Sequence, residues 1–573
     1  MRILRQCLLD TNLARLRAIA RFWDVELMAS RQRDAAMQLA QVMATPEAIT
    51  YAWGTLPEDQ RQALKQLLAT DGQMPLRIFT REWGEIRSMG PGRLARERPW
   101  QTPISSAEGL WYTGFISRAF EQGEDDAYEV IFIPPEIRDH LPVPSASSPA
   151  LTLEASPDPS VVHSSGDAFL DDVCTLLAYL QNERMRPGRD EGGWPARHAD
   201  DLARRLRDPD PTRMSLLQHL TQRLGWLRVT DSNHLRPDPG PVTAWLQSPT
   251  DQQRSVLAVA WQEDSIWNDL FHVPTLHPED TGAWRNDPLR ARKSICQHLE
   301  ICTPNIWYKI GDFVAAIKQI DPDFQRPGGD YDAWYIRDAA TGAYLSGFES
   351  WEAIEGAFIR YLITGPLAWL GLTDLGAVTP NQPWTVFRLT AAGAVCLNLA
   401  DQSLPQTEPT PLDLRPNFTL LVPPPRRYER FQLARVADWV NSPPAEEVKG
   451  FFIYRLAPNS LERARQQGIS VTRVLEFLNQ VTDAPVHRSV EAALTRWDAR
   501  GIEARLERVM LLRLSDEDLM TQVKSSPLTR SFIQERIGPT AALVRECDWA
   551  NLASALGEMG LFPDIVREEN IGS

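Results

Sequence analysis

Apolar positions recur along most of this chain at intervals of three and four residues, the spacing that gathers them on one face of a helix. Leu4, Leu8, Leu13, Leu16, Ile19 and Ala20 form one such stripe. A second helix is expected from Arg31 to Met43, and Thr45-Pro46 starts a third. Residues 1–55 therefore read as a helical segment, with arginines expected on a solvated face. In residues 56–141 the pattern changes. Pro57 opens a helix through Leu68 that closes near Gly72, and Ser105 or Ser106 caps a helix carrying Leu110, Trp111, Phe115, Ile116 and Phe120. A polar turn over 121–126 then leads to the strand YEVIFIP. Helices followed by a short strand match a winged-helix-like module. Its would-be recognition helix carries only Arg118 as a cation, which suits packing on protein better than reading bases.

Residues 142–166 are rich in Pro, Ser and Ala without periodicity, and read as a flexible, partly extended linker. Residues 167–247 repeat the winged-helix-like order. Phe169, Val173, Leu176, Leu177 and Leu180 mark one helix, 197–206 a second and 214–224 a third, before two short strands around Ser232-Asn233. Residues 248–410 form a third helical, winged-helix-like module. It holds an amphipathic helix beginning near Asp251, an apolar helix pair broken at Gly365-Pro366, and a strand followed by a helix capped by Thr390. Its tryptophans (Trp261, Trp267, Trp284, Trp307, Trp334, Trp351, Trp369 and Trp384, with Trp245 just before) sit among apolar neighbours and are expected in the core or at an interface. The fold class expected is mainly α with small β wings.

The C-terminal stretch, 411–565, alternates strand and helix signals. Phe418 to Val422 is an apolar run closed by Pro423, Pro424 and Pro425, which lack ladder donors. A helical pattern through Tyr428, Phe431, Leu433, Val436 and Val440 follows, then a strand from Phe451 to Leu456. Asn459 or Ser460 caps the next helix, which ends at Gly468, and Ser470 or Thr472 starts another. A helix from Pro485 to Arg500, a strand from Val509 to Leu514 and a helix started by Ser515 come next, and the end alternates helix, strand and helix. The segments PNFTLLVP, FIYRLAPNSLERARQQGIS and VLEFLNQVTDAPVHRSVEAALTRW resemble the helicase-associated domain at the N-terminus of XPB-type DNA helicases, and still more the bacterial stand-alone proteins carrying that domain. The resemblance covers roughly residues 412–563. It implies a place near DNA machinery and supplies no catalytic residues.

Charge narrows the function. With 60 Lys and Arg against 75 Asp and Glu, the formal net charge is −15, so bulk attraction to DNA is excluded and any contact needs a local basic face. The best candidate is the second module, with Arg184, Arg186, Arg189, Arg197, Arg204, Arg205, Arg207 and Arg213. Asp190, Glu191, Asp200, Asp201, Asp208 and Asp210 interleave with them, the pattern of a salt-bridged surface. The six scattered cysteines form no CxxC and suit reduced thiols in a cytoplasmic protein. No GxxxxGK[ST] phosphate loop, GxSxG or HExxH occurs, and CQHLEIC around Cys296, His298 and Cys302 has poor zinc spacing. The expectation is a non-enzymatic adaptor without metal, cofactor, small-molecule substrate or membrane span, docking onto a protein partner in DNA-processing machinery. The alternative is a direct DNA-binding regulator.

Overall fold

The computed structural model describes residues 2–28, 31–122, 127–142, 153–187, 194–282, 284–326, 328–399, 410–440, 450–503 and 509–564. They are mainly helical with several small sheets, the class that the apolar pattern predicts. The chain divides into two units, one of residues 1–413 and 420–455, the other of 414–419 and 456–573.

The first unit begins with helices Leu4–Leu9, Leu13–Phe22, Gln32–Met43, Pro46–Thr55 and Glu58–Ala69. Their stripes converge on one core containing Leu16, Ile19, Leu39, Leu64, Leu110 and Phe115, all fully buried. Asn12 caps the second helix by accepting from the Arg15 amide at 3.0 Å. Of the two candidate serines, Ser105 is the cap of Ser106–Thr113, its hydroxyl accepting from Glu108 N at 3.0 Å. That helix does not continue to Phe120. It stops at Gly114, whose φ of +78° glycine adopts without a Cβ penalty. A Cβ there would also press on Ile19 and Met43 at 3.1 Å. The chain turns instead into a hairpin of Ser117–Gln122 and Ala127–Phe132, with Gln73–Pro75 on the outer side of the second strand. Phe115 enters the core while Phe120 points to solvent. Arg118 lies on a strand, where alternation rather than helical period sets its neighbours.

The stretch expected as a linker is not wholly free. Val161–His163 is the edge strand of a four-stranded antiparallel sheet, followed in order by Thr373–Ala377, Val386–Leu389 and Trp307–Lys309. Apolar alternation is weak there because an edge strand borrows its order from the neighbour it pairs with. Residues 143–152 lie outside the described residues. Helices Ala168–Asn182, Ala196–Ala203 and Pro211–Arg223 precede the hairpin Leu227–Val229/Leu235–Pro237 around Asn233, close to expectation. Thr390 caps Ala391–Cys396, and the apolar helix pair breaks at Gly365-Pro366. Trp245, Trp261, Trp267, Trp284, Trp307 and Trp351 are buried, and Trp334, Trp369 and Trp384 partly so.

The strand Thr419–Val422 pairs with Phe452–Arg455, which pairs with Asp438–Trp439. The helix expected to run to Val440 covers only Arg427–Leu433, because Asp438 and Trp439 are taken by the sheet. In the second unit, Ala457 precedes Pro458–Gln466, and Ser460 serves from inside the first turn, accepting from Ala457 N at 3.1 Å. Ser470 caps Val471–Val481 and Asp516, not Ser515, caps Glu517–Ser525. The end of the chain reads strand Ile533–Arg536, strand Ala541–Arg545 and helix Trp549–Glu558 instead of helix, strand, helix. Val523, Val544, Leu552 and Leu556 make a small core beneath the sheet that these strands form with Val509–Arg513.

Candidate functional site

The helix Ala168–Asn182 is apolar nearly all round, yet Asp171 and Asp172 sit near its start and both are buried. Buried carboxylates need partners, and Arg427–Leu433 packs against this helix and brings them. Arg427 Nε donates to Asp171 Oδ1 at 2.8 Å, its Nη2 meets Asp167 Oδ2 at 2.9 Å, and its Nη1 reaches Gln253 Oε1 at 3.2 Å. Arg430 donates to the Asp171 carbonyl at 3.2 Å and to Thr175 Oγ1, with its guanidinium 3.5 Å above the Phe452 ring. Arg254 reaches the same cluster through Asp167 at 2.5 Å and the Leu370 carbonyl at 2.9 Å. Burial pushes the carboxyls of Asp171 and Asp172 up, against the opposing pull of the arginines beside them. Cys174, wholly buried on the same helix, donates to the Arg427 carbonyl at 3.3 Å, and burial raises its thiol as well. The chemistry of this cluster is cohesion: every carboxylate in it faces a guanidinium, and it locks the segment 427–433 to the second module.

The arginines picked from the sequence divide sharply. Arg213 is buried, with Nη1 on Asp172 Oδ2 at 2.6 Å and on the Asp208 carbonyl at 2.8 Å. A side chain so placed cannot touch a phosphate. Arg207 binds Asp171 at 2.9 Å and lies 4.7 Å from the Phe452 ring, while its backbone amide donates to Asp172. Arg204 and Arg205 share Asp201 at 3.2 and 3.3 Å. Arg184, Arg186 and Arg197 are exposed and face no carboxylate among the described residues, and Arg189 lies outside them. One further cation of this module escaped the sequence reading. Arg228 stands exposed on the hairpin, directly across from Arg236. Its signal was its place beside a predicted turn in GWLRVTDSNHLRP, where a wing would carry charge.

Two other buried ion pairs stabilise the first unit. Arg292 binds Asp269 at 2.5 Å and the carbonyls of Trp261, Asp264 and Trp267, while Asp269 accepts from both Trp261 and Trp267 indoles. Arg326 binds Glu355 at 2.6 Å. Beside the first, Asp264 accepts from Ile266 N at 2.8 Å, Trp267 N at 3.1 Å and His219 Nε2 at 2.5 Å. Burial works to raise its carboxyl, but these donors outweigh it and hold it below the ordinary range. A carboxylate–imidazole pair can do proton transfer when one oxygen is free. Here the turn has already claimed the carboxylate, so the pair is a structural brace. Among the described residues, no three His, Cys, Asp or Glu side chains gather as a metal would need, and no helix is long and apolar enough to cross a membrane.

Residues 413–538 match a family model described as a helicase conserved C-terminal domain. No curated protein matches the chain. The matched stretch starts before the Thr419–Val422 strand, takes in Arg427 and Arg430, and runs through the helices Pro458–Gln466, Val471–Val481, Arg488–Arg500 and Glu517–Ser525 into the closing sheet of the second unit.

Proposed function

We propose that this protein is a non-catalytic adaptor that docks onto DNA-processing machinery of the helicase, repair or transcription type in the cytoplasm. The observation that carries the reading is the match of 413–538 to a helicase C-terminal domain. The resemblance of the same stretch to the helicase-associated domain of XPB-type proteins points the same way. The sequence has no GxxxxGK[ST] loop to cradle a nucleotide, so in this reading ATP hydrolysis belongs to the partner. The buried arginine–aspartate cluster supports a scaffold role, since it anchors Arg427–Leu433 rigidly on Ala168–Asn182. The test is isolation of the tagged full chain under native conditions with mass spectrometry, beside an ATPase assay of the pure protein. A nucleic-acid motor among the partners and no turnover are expected. Appreciable ATP hydrolysis by the protein alone would overturn the reading.

Direct DNA binding is the second reading, and Arg184, Arg186, Arg197 and Arg228, exposed and facing no carboxylate among the described residues, favour it. It calls for winged-helix-like use of the second module, with phosphates held by these cations. Fluorescence anisotropy with duplex and single-stranded DNA across a salt series tests it. Micromolar binding that weakens steeply with salt and is lost in Arg184→Ala/Arg186→Ala/Arg197→Ala would establish it. Binding unaffected by that triple variant would remove it.

A further inference from the structure

Arg15 is buried without the ion pair that answers Arg213, Arg254, Arg292, Arg326 and Arg427. It is 8% exposed, yet no carboxylate neutralises it. Its Nε and Nη2 donate to the Trp111 carbonyl at 3.1 and 2.9 Å, and Nη2 reaches the Ile116 carbonyl at 3.4 Å. Its guanidinium lies 3.3 Å from the centre of the Trp111 ring. It forms part of the wall of a cavity of about 260 Å³ between the first two helices, the 86–89 segment and the hairpin. Arg2, Arg87 and Arg118 line the same cavity, against a single carboxylate, Asp10. Three of these four cations have a counter-charge: Arg2 pairs with Asp10 at 2.9 Å, Arg87 with Glu108 at 2.6 Å, and Arg118 stands 3.7 Å from Glu129. Even so, Arg118 Nε is buried without an acceptor. Burial with no adjacent carboxylate brings the Arg15 guanidinium down to about 9, the mark of a cation missing its partner.

We propose that this cavity is an anion site that takes a phosphate dianion, either free inorganic phosphate or the terminal phosphomonoester of a nucleotide or nucleic acid end. Once the pairs within the protein are counted, Arg15 Nη1 has no hydrogen bond among the described residues and Arg118 Nε is buried without an acceptor, which leaves charged donors on the cavity-lining arginines for the oxygens of a phosphate. The volume is below the roughly 300 Å³ at which pockets for whole drug-sized molecules begin, so one charged group enters and the rest of a larger ligand stays outside. Every residue lining the cavity belongs to the N-terminal part of the first unit and none to the helicase-like stretch.

The test is calorimetric titration of the full chain with inorganic phosphate at fixed ionic strength, sodium chloride serving as the control. Binding by phosphate but not chloride is expected, with a rise in melting temperature. Arg118→Gln, at the partly exposed edge of the cavity, should weaken binding at least tenfold. Arg15→Lys, which keeps the charge and removes the fork, should also weaken it. Parallel titration with a 5′-phosphorylated oligonucleotide and its 5′-hydroxyl twin separates the sources: a preference for the phosphorylated end assigns a nucleic acid terminus, and equal affinity for phosphate alone assigns the free ion. Absence of binding by either probe to the wild-type chain, or full affinity in Arg118→Gln, would overturn the site.

Discussion

Arg213 and Arg15 are both buried arginines, and the contrast between them separates cohesion from recognition. Arg213 has Asp172 at 2.6 Å and the Asp208 carbonyl beside it, so its charge is answered inside the protein. Arg15 has only carbonyl oxygens and the face of Trp111. Burying a charge is costly in proportion to what is left unpaired. A fully paired arginine therefore acts as a tie between elements, while one left without a counter-charge beside a cavity is poised for an anion from outside. In the second module Arg204, Arg205, Arg207 and Arg213 are spent on ties, to Asp171, Asp172 and Asp201.

The largest effect should come from breaking the tie on one side. Asp172→Ala leaves Arg213 charged and buried, and should cost about 3–5 kcal/mol of stability in urea unfolding. Asp172→Leu with Arg213→Met removes both charges, and most of that loss, all but about 1–2 kcal/mol, should be recovered. If the double variant is as unstable as Asp172→Ala alone, packing rather than charge dominates that site. Acid should act next. Asp264 is buried and Asp321 half-buried, which raises both, but two amides and His219 for the first, and His298 and Ser294 for the second, hold both below the ordinary range. A carboxyl depressed in the folded state contributes stability that is complete above its unfolded value and lost as pH falls through the folded one. The melting temperature should thus decline below about pH 4, where free aspartate titrates, and Asp264→Asn should flatten that decline.

Arg15→Met should be milder than any change at Asp172. It forfeits hydrogen bonds to two carbonyls but removes an unpaired buried cation, for a net loss of about 1 kcal/mol by thermal unfolding. A loss as large as that of Asp172→Ala would erase the distinction between the two arginines. Smallest of all is Arg204→Ala. Its side chain is 67% exposed and its bond to Asp201 is a surface ion pair, so a change within about 0.5 kcal/mol is expected.

Much of the helical order was legible from the chain. The stripes of 4–20, the break at Gly365-Pro366 and the Thr390 cap follow from local rules, since period, proline and capping act within a few residues. Where the reading failed, a distant partner decided. Nothing local to 161–163 signals a strand, because its order comes from pairing with Thr373–Ala377. The helix through Phe120 failed at Gly114, and the one through Val440 failed where Asp438 and Trp439 join a sheet. The site was legible only as a list of arginines. DAFLDDVCTLL, with two acids in an apolar helix, carried a signal of buried charge, but which cations would meet them was hidden.

The sequence alone settled the helical framework, the net acidity and the likeness of residues 413–538 to a helicase C-terminal domain, because period, charge and motif are properties of neighbouring residues. Tertiary structure decided which arginines are answered. Asp171 and Arg427 stand 256 positions apart in the chain and 2.8 Å apart in the fold. Burial and counter-charge belong to contacts of that kind, so only the folded chain distinguishes Arg213, which meets a carboxylate, from Arg15, which meets only carbonyls and a ring.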